Sequence, residues 1–166
     1  MRRLFIWPAL LFALAGQSQN ELPERSGFTL NVKRNATQTF VQQINPGPYF
    51  PQTGALQLYP NERVFVEVEI KADTIFSMKT VRENLHPQRT LEIEFCQSES
   101  KTGARPSELW VKNPLATRVS FNVLAHSVTE SAWQSRAEHV LPVRTGHALW
   151  KKEIVSSLVL KDWKLP

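Results

Sequence analysis

Residues 63–71 read RVFVEVEIK, and the order of these nine side chains decides the fold. Val64, Val66, Val68 and Ile70 alternate with Phe65, Glu67, Glu69 and Lys71. An extended chain points successive side chains to opposite faces, so one face of this stretch is aliphatic and the other mostly charged. That is a strand with one side in a core and one in water. Two later stretches repeat the pattern. Leu91, Ile93 and Phe95 stand against Glu92 and Glu94, and Val119, Phe121, Val123 and Ala125 stand against Arg118, Ser120 and Asn122.

Three one-sided strands require an apolar layer opposite them. The sequence therefore predicts an all-β fold, an immunoglobulin-like antiparallel β-sandwich with at most one or two short helices. The apolar strand Leu109–Val111, the Asn113-Pro114 turn and the alternating stretch after it resemble such sandwiches at the level of fold only. With 166 residues the chain fits one domain large enough to hold a core without disulfide or metal staples.

Residues 1–18 have the layout of a cleavable secretory signal. Arg2 and Arg3 precede an apolar run from Leu4 to Leu14 that is short for a bilayer span, and the small residues Ala13, Ala15, Gly16 and Ser18 follow. Cleavage after Ala15 or after Ser18 fits equally well. Gln17 stands where a lipobox requires cysteine, so no lipid anchor is expected, and the paired arginines lack an extended twin-arginine pattern. The expected product is periplasmic or extracellular, with no transmembrane segment in the mature chain. Residues 19–27 read as a short polar spacer and 28–166 as the single sandwich domain.

Loss of Arg2 and Arg3 lowers the formal charge from +5 to +3, too mild an excess for a nucleic-acid partner. The basic residues gather toward the C-terminus, where a solvated face is the expected reading. Cys96 is the lone cysteine, so no internal disulfide forms in an oxidising compartment. At the end of a predicted strand it reads as a small, half-buried hydrophobe, with an intermolecular disulfide as the sharper alternative.

Phe28, Leu30 and Val32 mark a first strand, Asn35-Ala36-Thr37 a turn that also matches a glycosylation sequon, and Phe40 and Val41 a second strand. The stretch 45–54, NPGPYFPQTG, is a loop with restricted dihedrals carrying Tyr49 and Phe50. Leu56 and Leu58 start a short strand, and Thr74 to Thr80 alternates as another. Ser127 and Glu130 have capping-box spacing, which predicts one or two helical turns within 129–139. Val140–Val143 and His147–Trp150 read as a hairpin around Thr145-Gly146, and the run Leu158-Val159-Leu160 as a final strand covered on both faces.

Three kinds of reactive site would leave a mark on such a sequence. A blue-copper site needs a histidine or methionine soon after Cys96, and the next histidine is His126. The other histidines, His86, His139 and His147, are scattered, although the last two flank the predicted hairpin. A serine hydrolase elbow is absent from the sequence, and His126-Ser127 are neighbours that a strand points apart. The pairs Glu67 with Glu69 and Glu92 with Glu94 could serve a glycosidase, but on an open sheet they fit charge pairs with Lys71 and Arg118.

No catalytic residue, metal or cofactor is assigned. The expected role is non-enzymatic: a structural or protein-binding module working at a strand edge or loop end. Tyr49, Phe50 and Trp110 are the candidate ligand-binding residues. An aromatic platform built from them would make the alternative a carbohydrate-binding domain, and an exported hydrolase is the weaker one.

Overall fold

The alternating stretches become strands in the computed structural model, which describes residues 19–97, 107–142, 145–149 and 154–165; of 136–138 and 145–149 only the backbone is described. The strands are β1 (Glu24–Arg25), β2 (Phe28–Lys33), β3 (Thr39–Ile44), β4 (Gly47–Pro48), β5 (Leu56–Leu58), β6 (Glu62–Lys71) and β7 (Thr74–Val81). They continue with β8 (Thr90–Gln97), β9 (Ser107–Asn113), β10 (Val119–Ser127), β11 (Ala132–Leu141), β12 (Thr145–Leu149) and β13 (Val155–Lys164). No helix occurs among the described residues.

Every pairing is antiparallel. One sheet has the order β12-β9-β8-β6-β7 and the other β11-β10-β13-β5, while β2 with β3 and β1 with β4 form two-stranded ribbons. The alternation at 63–71 works as read: Val64, Val66 and Val68 are buried, and Leu91, Ile93 and Phe95 of the neighbouring strand join them. From the second sheet come Val119, Phe121, Val123, Ala125, Leu158 and Leu160, all in the same buried cluster. The two sheets thus share one aliphatic core, a sandwich-like arrangement that excludes water from both inner faces.

The outer face of the five-stranded sheet carries the charges. Glu92 lies between Arg63 and Lys112, at 3.1 and 3.0 Å, Glu67 meets Arg89, and Glu69 meets Lys71 at 2.9 Å. Lys71 thus meets Glu69 within its own strand rather than across strands as expected, and Arg89, Arg63 and Lys112 stand where Arg118 was expected. Burial is the largest single influence on Glu92 and disfavours its charge, but Lys112 and Arg63 together outweigh it and lower its pKa.

Three expectations are corrected. The capping-box stretch is not helical: the Ser127 hydroxyl does accept a bond from the Glu130 amide, at 3.3 Å, but the chain turns at Ser131, with φ of 51°, and runs out as β11. Pairing with β10 gives these residues a run of ladder hydrogen bonds, which an isolated helix of one or two turns cannot match. The hairpin around Thr145-Gly146 is also absent, because β12 pairs with β9 in the first sheet whereas β11 belongs to the second; Val143 and Trp150 lie outside the described residues. His139 and His147 accordingly lie in strands of different sheets.

The third concerns the polar spacer, which is part of the sandwich. Leu22 donates to the Thr80 carbonyl at 2.9 Å, Arg82 donates to the Asn20 carbonyl at 2.8 Å, and Glu21 bridges Val81. The N-terminal stretch thereby covers one end of the β7 edge.

The β2–β3 ribbon closes a second, smaller core. Leu30, Val32 and Ile44 pack with Val128, while Phe28, Phe40, Tyr59 and Ile154 line its margin. The Asn35 side-chain oxygen accepts from the Thr37 and Gln38 amides at 3.0 and 2.9 Å, which makes the turn.

Candidate binding groove

Tyr49 and Phe50 are neighbours that part company. Tyr49 turns inward beside Arg25, and Phe50 turns toward the β7 edge. Trp110 is 46% exposed on the outer face of the five-stranded sheet. Because β9 and β7 are three strand spacings apart, about 14 Å, Trp110 and Phe50 cannot form one aromatic platform.

Arg25 is the centre of the inward cluster and is 6% exposed. Its Nε donates to Glu62 at 2.8 Å, Nη1 to the Pro48 carbonyl at 3.2 Å, and Nη2 to the Gln57 carbonyl. Its guanidinium lies 4.4 Å from the Tyr49 ring centre and 5.1 Å from that of Tyr59. The Gln57 amide in turn donates to the Tyr49 carbonyl at 2.8 Å. Both backbone groups of Gln57 on the free side of β5 are therefore taken, so the edge of the second sheet is sealed. Glu62 also accepts from the Tyr59 amide at 2.8 Å. Burial nevertheless pushes its carboxyl above the usual range, against the Tyr59 amide and Arg25.

A cavity of about 490 Å³ opens beside this cluster, lined by β1, the start of β2 and the Pro60-Asn61-Glu62 turn. Its floor is Arg25, Glu62 and Tyr49. The charges of Arg25 and Glu62 at that floor are spent on one another.

The outward side is different. A groove of about 650 Å³ runs between β7 and the loop Phe50–Ala55, and is lined by Phe50, Ile75, Phe76, Met78 and Trp163, with Lys161 and Asp162 at one end. Two local breaks in strand regularity build it. In β7 the register shifts between the Glu69–Ser77 and Ile70–Ile75 pairs, so Phe76 is the extra residue and stands 63% exposed. In β13, Asp162 takes φ of 57°, and Trp163 swings back toward the core, its ring 4.6 Å from Phe121 and its Nε1 donating to the Leu160 carbonyl at 3.2 Å.

Lys71 Nζ sits 3.5 Å from the centre of the Phe76 ring. Lys161 and Asp162 approach each other at 3.7 Å, and Asn122 donates to Asp162 at 3.1 Å. The charges thus sit at the groove's margins and its walls are neutral.

The remaining candidates have other neighbours. His126 Nδ1 lies 2.8 Å from Ser156 Oγ, a contact the adjacency of His126 and Ser127 did not suggest, and Ser156 is buried, 2% exposed. Cys96 is half-buried, and burial, then Glu94 and Glu108, raise its thiol pKa, which favours the unreactive thiol. Among the described residues no group of three or more His, Cys, Asp or Glu is placed to hold a metal ion, and no helix is long and apolar enough to cross a membrane.

Arg25, Glu62 and Phe76 are not singled out by the sequence, whereas Trp163 belongs to the set of aromatic residues from which a binding platform could be drawn. Glu62 carried a signal, standing three residues after Tyr59 across a Pro-Asn turn, whereas the bulge that displaces Phe76 leaves none. Comparison with family models, with curated proteins and with solved structures finds no match to this chain.

Proposed function

We propose that the protein is an exported, non-enzymatic β-sandwich module that binds an extended segment of a partner protein, a bulky apolar side chain of which fills the groove between β7 and the Phe50–Ala55 loop. The observation that carries this reading is the exposure of Phe76 at the mouth of a neutral groove floored by Met78 and Trp163. An apolar wall with polar margins is what a side chain flanked by peptide groups requires. Gln52, Thr53 and Ser77 lie along the same groove to meet those peptide groups.

The export half of the proposal rests on the layout of residues 1–18. Within the sandwich class we place the fold nearest the immunoglobulin-like arrangement, a reading supported by antiparallel pairing throughout and by repeated crossings of the chain between the sheets.

Selection of a displayed random-peptide library on the mature chain tests the binding half. Recovered peptides are expected to share an aromatic or large aliphatic residue. Phe76→Asp should weaken them by at least about tenfold, since a buried apolar side chain of that size contributes roughly 1.5–3 kcal/mol. Thermal stability should stay unchanged, because Phe76 is exposed. Peptides indifferent to Phe76→Asp would contradict the proposal. So would binding on a glycan array that disappears with Phe50→Ala, which would move the groove to the carbohydrate-binding alternative.

A further inference from the structure

The sheet edges are defended unequally. Tyr49 and Arg25 seal β5, the stretch Asn20–Leu22 and the Phe76 bulge blunt β7, and a register break between Phe121 and Val123 interrupts the β10–β11 ladder. Strand β3 has none of these devices. It reads TFVQQI, without charge, proline or glycine, and its register with β2 runs unbroken from Phe28–Ile44 to Lys33–Thr39. Thr39, Val41, Gln42 and Gln43 are exposed, Val41 to 59%, and among the described residues no strand but β2 pairs with it.

The hydrogen bonds of Lys33 tell which backbone groups of β3 face outward. Gln97 holds both of them from the far side of β2: the Lys33 amide donates to Gln97 Oε1 at 2.9 Å, and Gln97 Nε2 donates to the Lys33 carbonyl at 3.0 Å. Lys33 and its partner Thr39 therefore form a pair that exchanges no bond across the ribbon. Such pairs alternate along an antiparallel ladder, so Thr39, Val41 and Gln43 direct their amides and carbonyls to the open edge.

We propose that β3 pairs with β3 of a second copy of this chain, antiparallel and about a two-fold axis at Val41. The three outward-facing residues are symmetric about that position. Val41 meets Val41 of the second copy, and Thr39 meets Gln43 in each direction, giving three pairs that can each exchange two hydrogen bonds. No charge opposes its like, because the strand carries none. Pairing converts two ribbons, each marginal alone, into one four-stranded sheet in the order β2-β3-β3-β2. The same pairing covers the exposed Val41 side chains on one face.

Sedimentation of the mature chain over a range of concentrations tests this, together with two variants. The wild type should associate as a dimer. Val41→Lys, which sets two ammonium groups across the axis, should raise the dissociation constant roughly tenfold or more. On a Cys96→Ser background, Val41→Cys should form a disulfide-linked dimer on mild oxidation, since directly paired residues there lie within disulfide reach. Asn35→Cys at the ribbon tip, far from the axis, should not. A wild type that stays monomeric at millimolar concentration overturns the proposal. A dimer that neither Val41→Lys weakens nor Val41→Cys traps overturns it equally, and the cross-link decides if the lysine variant fails to fold.

Discussion

Replacing Arg25 with methionine is expected to cost about 3–5 kcal/mol of stability, because it strands a buried carboxylate whose partner was a guanidinium 2.8 Å away. The same substitution removes the donors to the Pro48 and Gln57 carbonyls and the cation between two tyrosine rings. For a chain of this length the loss corresponds to a fall in Tm of roughly 10 °C. Pairing it with Glu62→Gln should recover a large part, since most of the cost is the unpaired charge rather than the lost attraction.

The pH dependence of that cost follows from the direction of the Glu62 shift. Its carboxyl already titrates above the usual range in the fold, and without Arg25 it rises further. A raised carboxyl pKa means that the folded chain holds the proton more tightly than the unfolded chain. The stabilising contribution is then complete below the unfolded value and is lost as pH rises through the folded one. The Arg25→Met penalty should therefore be smaller in acid than at neutral pH. Chemical denaturation of wild type and variant at both conditions measures it, and a penalty that grows in acid would contradict the assignment.

Phe121→Ala is the second large effect expected, about 3–5 kcal/mol. Phe121 is fully buried, lies in the core shared by the two sheets, and has the Trp163 ring 4.6 Å from its own. Its removal opens a void that rigid strands on both sides cannot collapse into. Trp110→Ala, a change of a larger side chain, should move stability by no more than about 0.5 kcal/mol, because Trp110 is half in water on the outer face. Equilibrium unfolding of both variants makes the contrast, and equal losses would place Phe121 outside a common core.

The strands were legible because their information is local and periodic. In β10 the residues from Val119 to Ser127 alternate buried and half-buried without exception, and the sequence alternates with them. The same is true of Val64, Val66 and Val68. Where the reading failed, a local signal was real but lost to a distant partner. Ser127 does bond the Glu130 amide as a helix cap would, yet β10 offers Ala132 to Arg136 an unbroken ladder, and the ladder prevails.

The candidate site was legible only in part for a related reason. The Pro-rich loop drew attention to Tyr49 and Phe50, and Phe50 does line the groove. Composition could not foretell that Tyr49 turns inward against Arg25, because that contact joins residues far apart in the chain through a stretch that reads as polar filler. Nor could periodicity place Phe76, which shares the parity of Met78 and Thr80 in sequence but is thrown outward by one extra residue in β7. Irregularities of one residue are invisible to a pattern of period two, and both walls of the groove depend on one.

Two sheets share one dry core, and Arg25 closes its open edge at β5. Residue-resolved amide hydrogen exchange on the protein tests both statements. The amides of β6, β8 and β10 are expected to exchange only through global unfolding, and the Gln57 amide to be protected in wild type but exposed by Arg25→Met. Exchange of Val64, Val66 and Val68 as fast as the Ala36 turn, or a Gln57 amide unprotected in wild type, would contradict them.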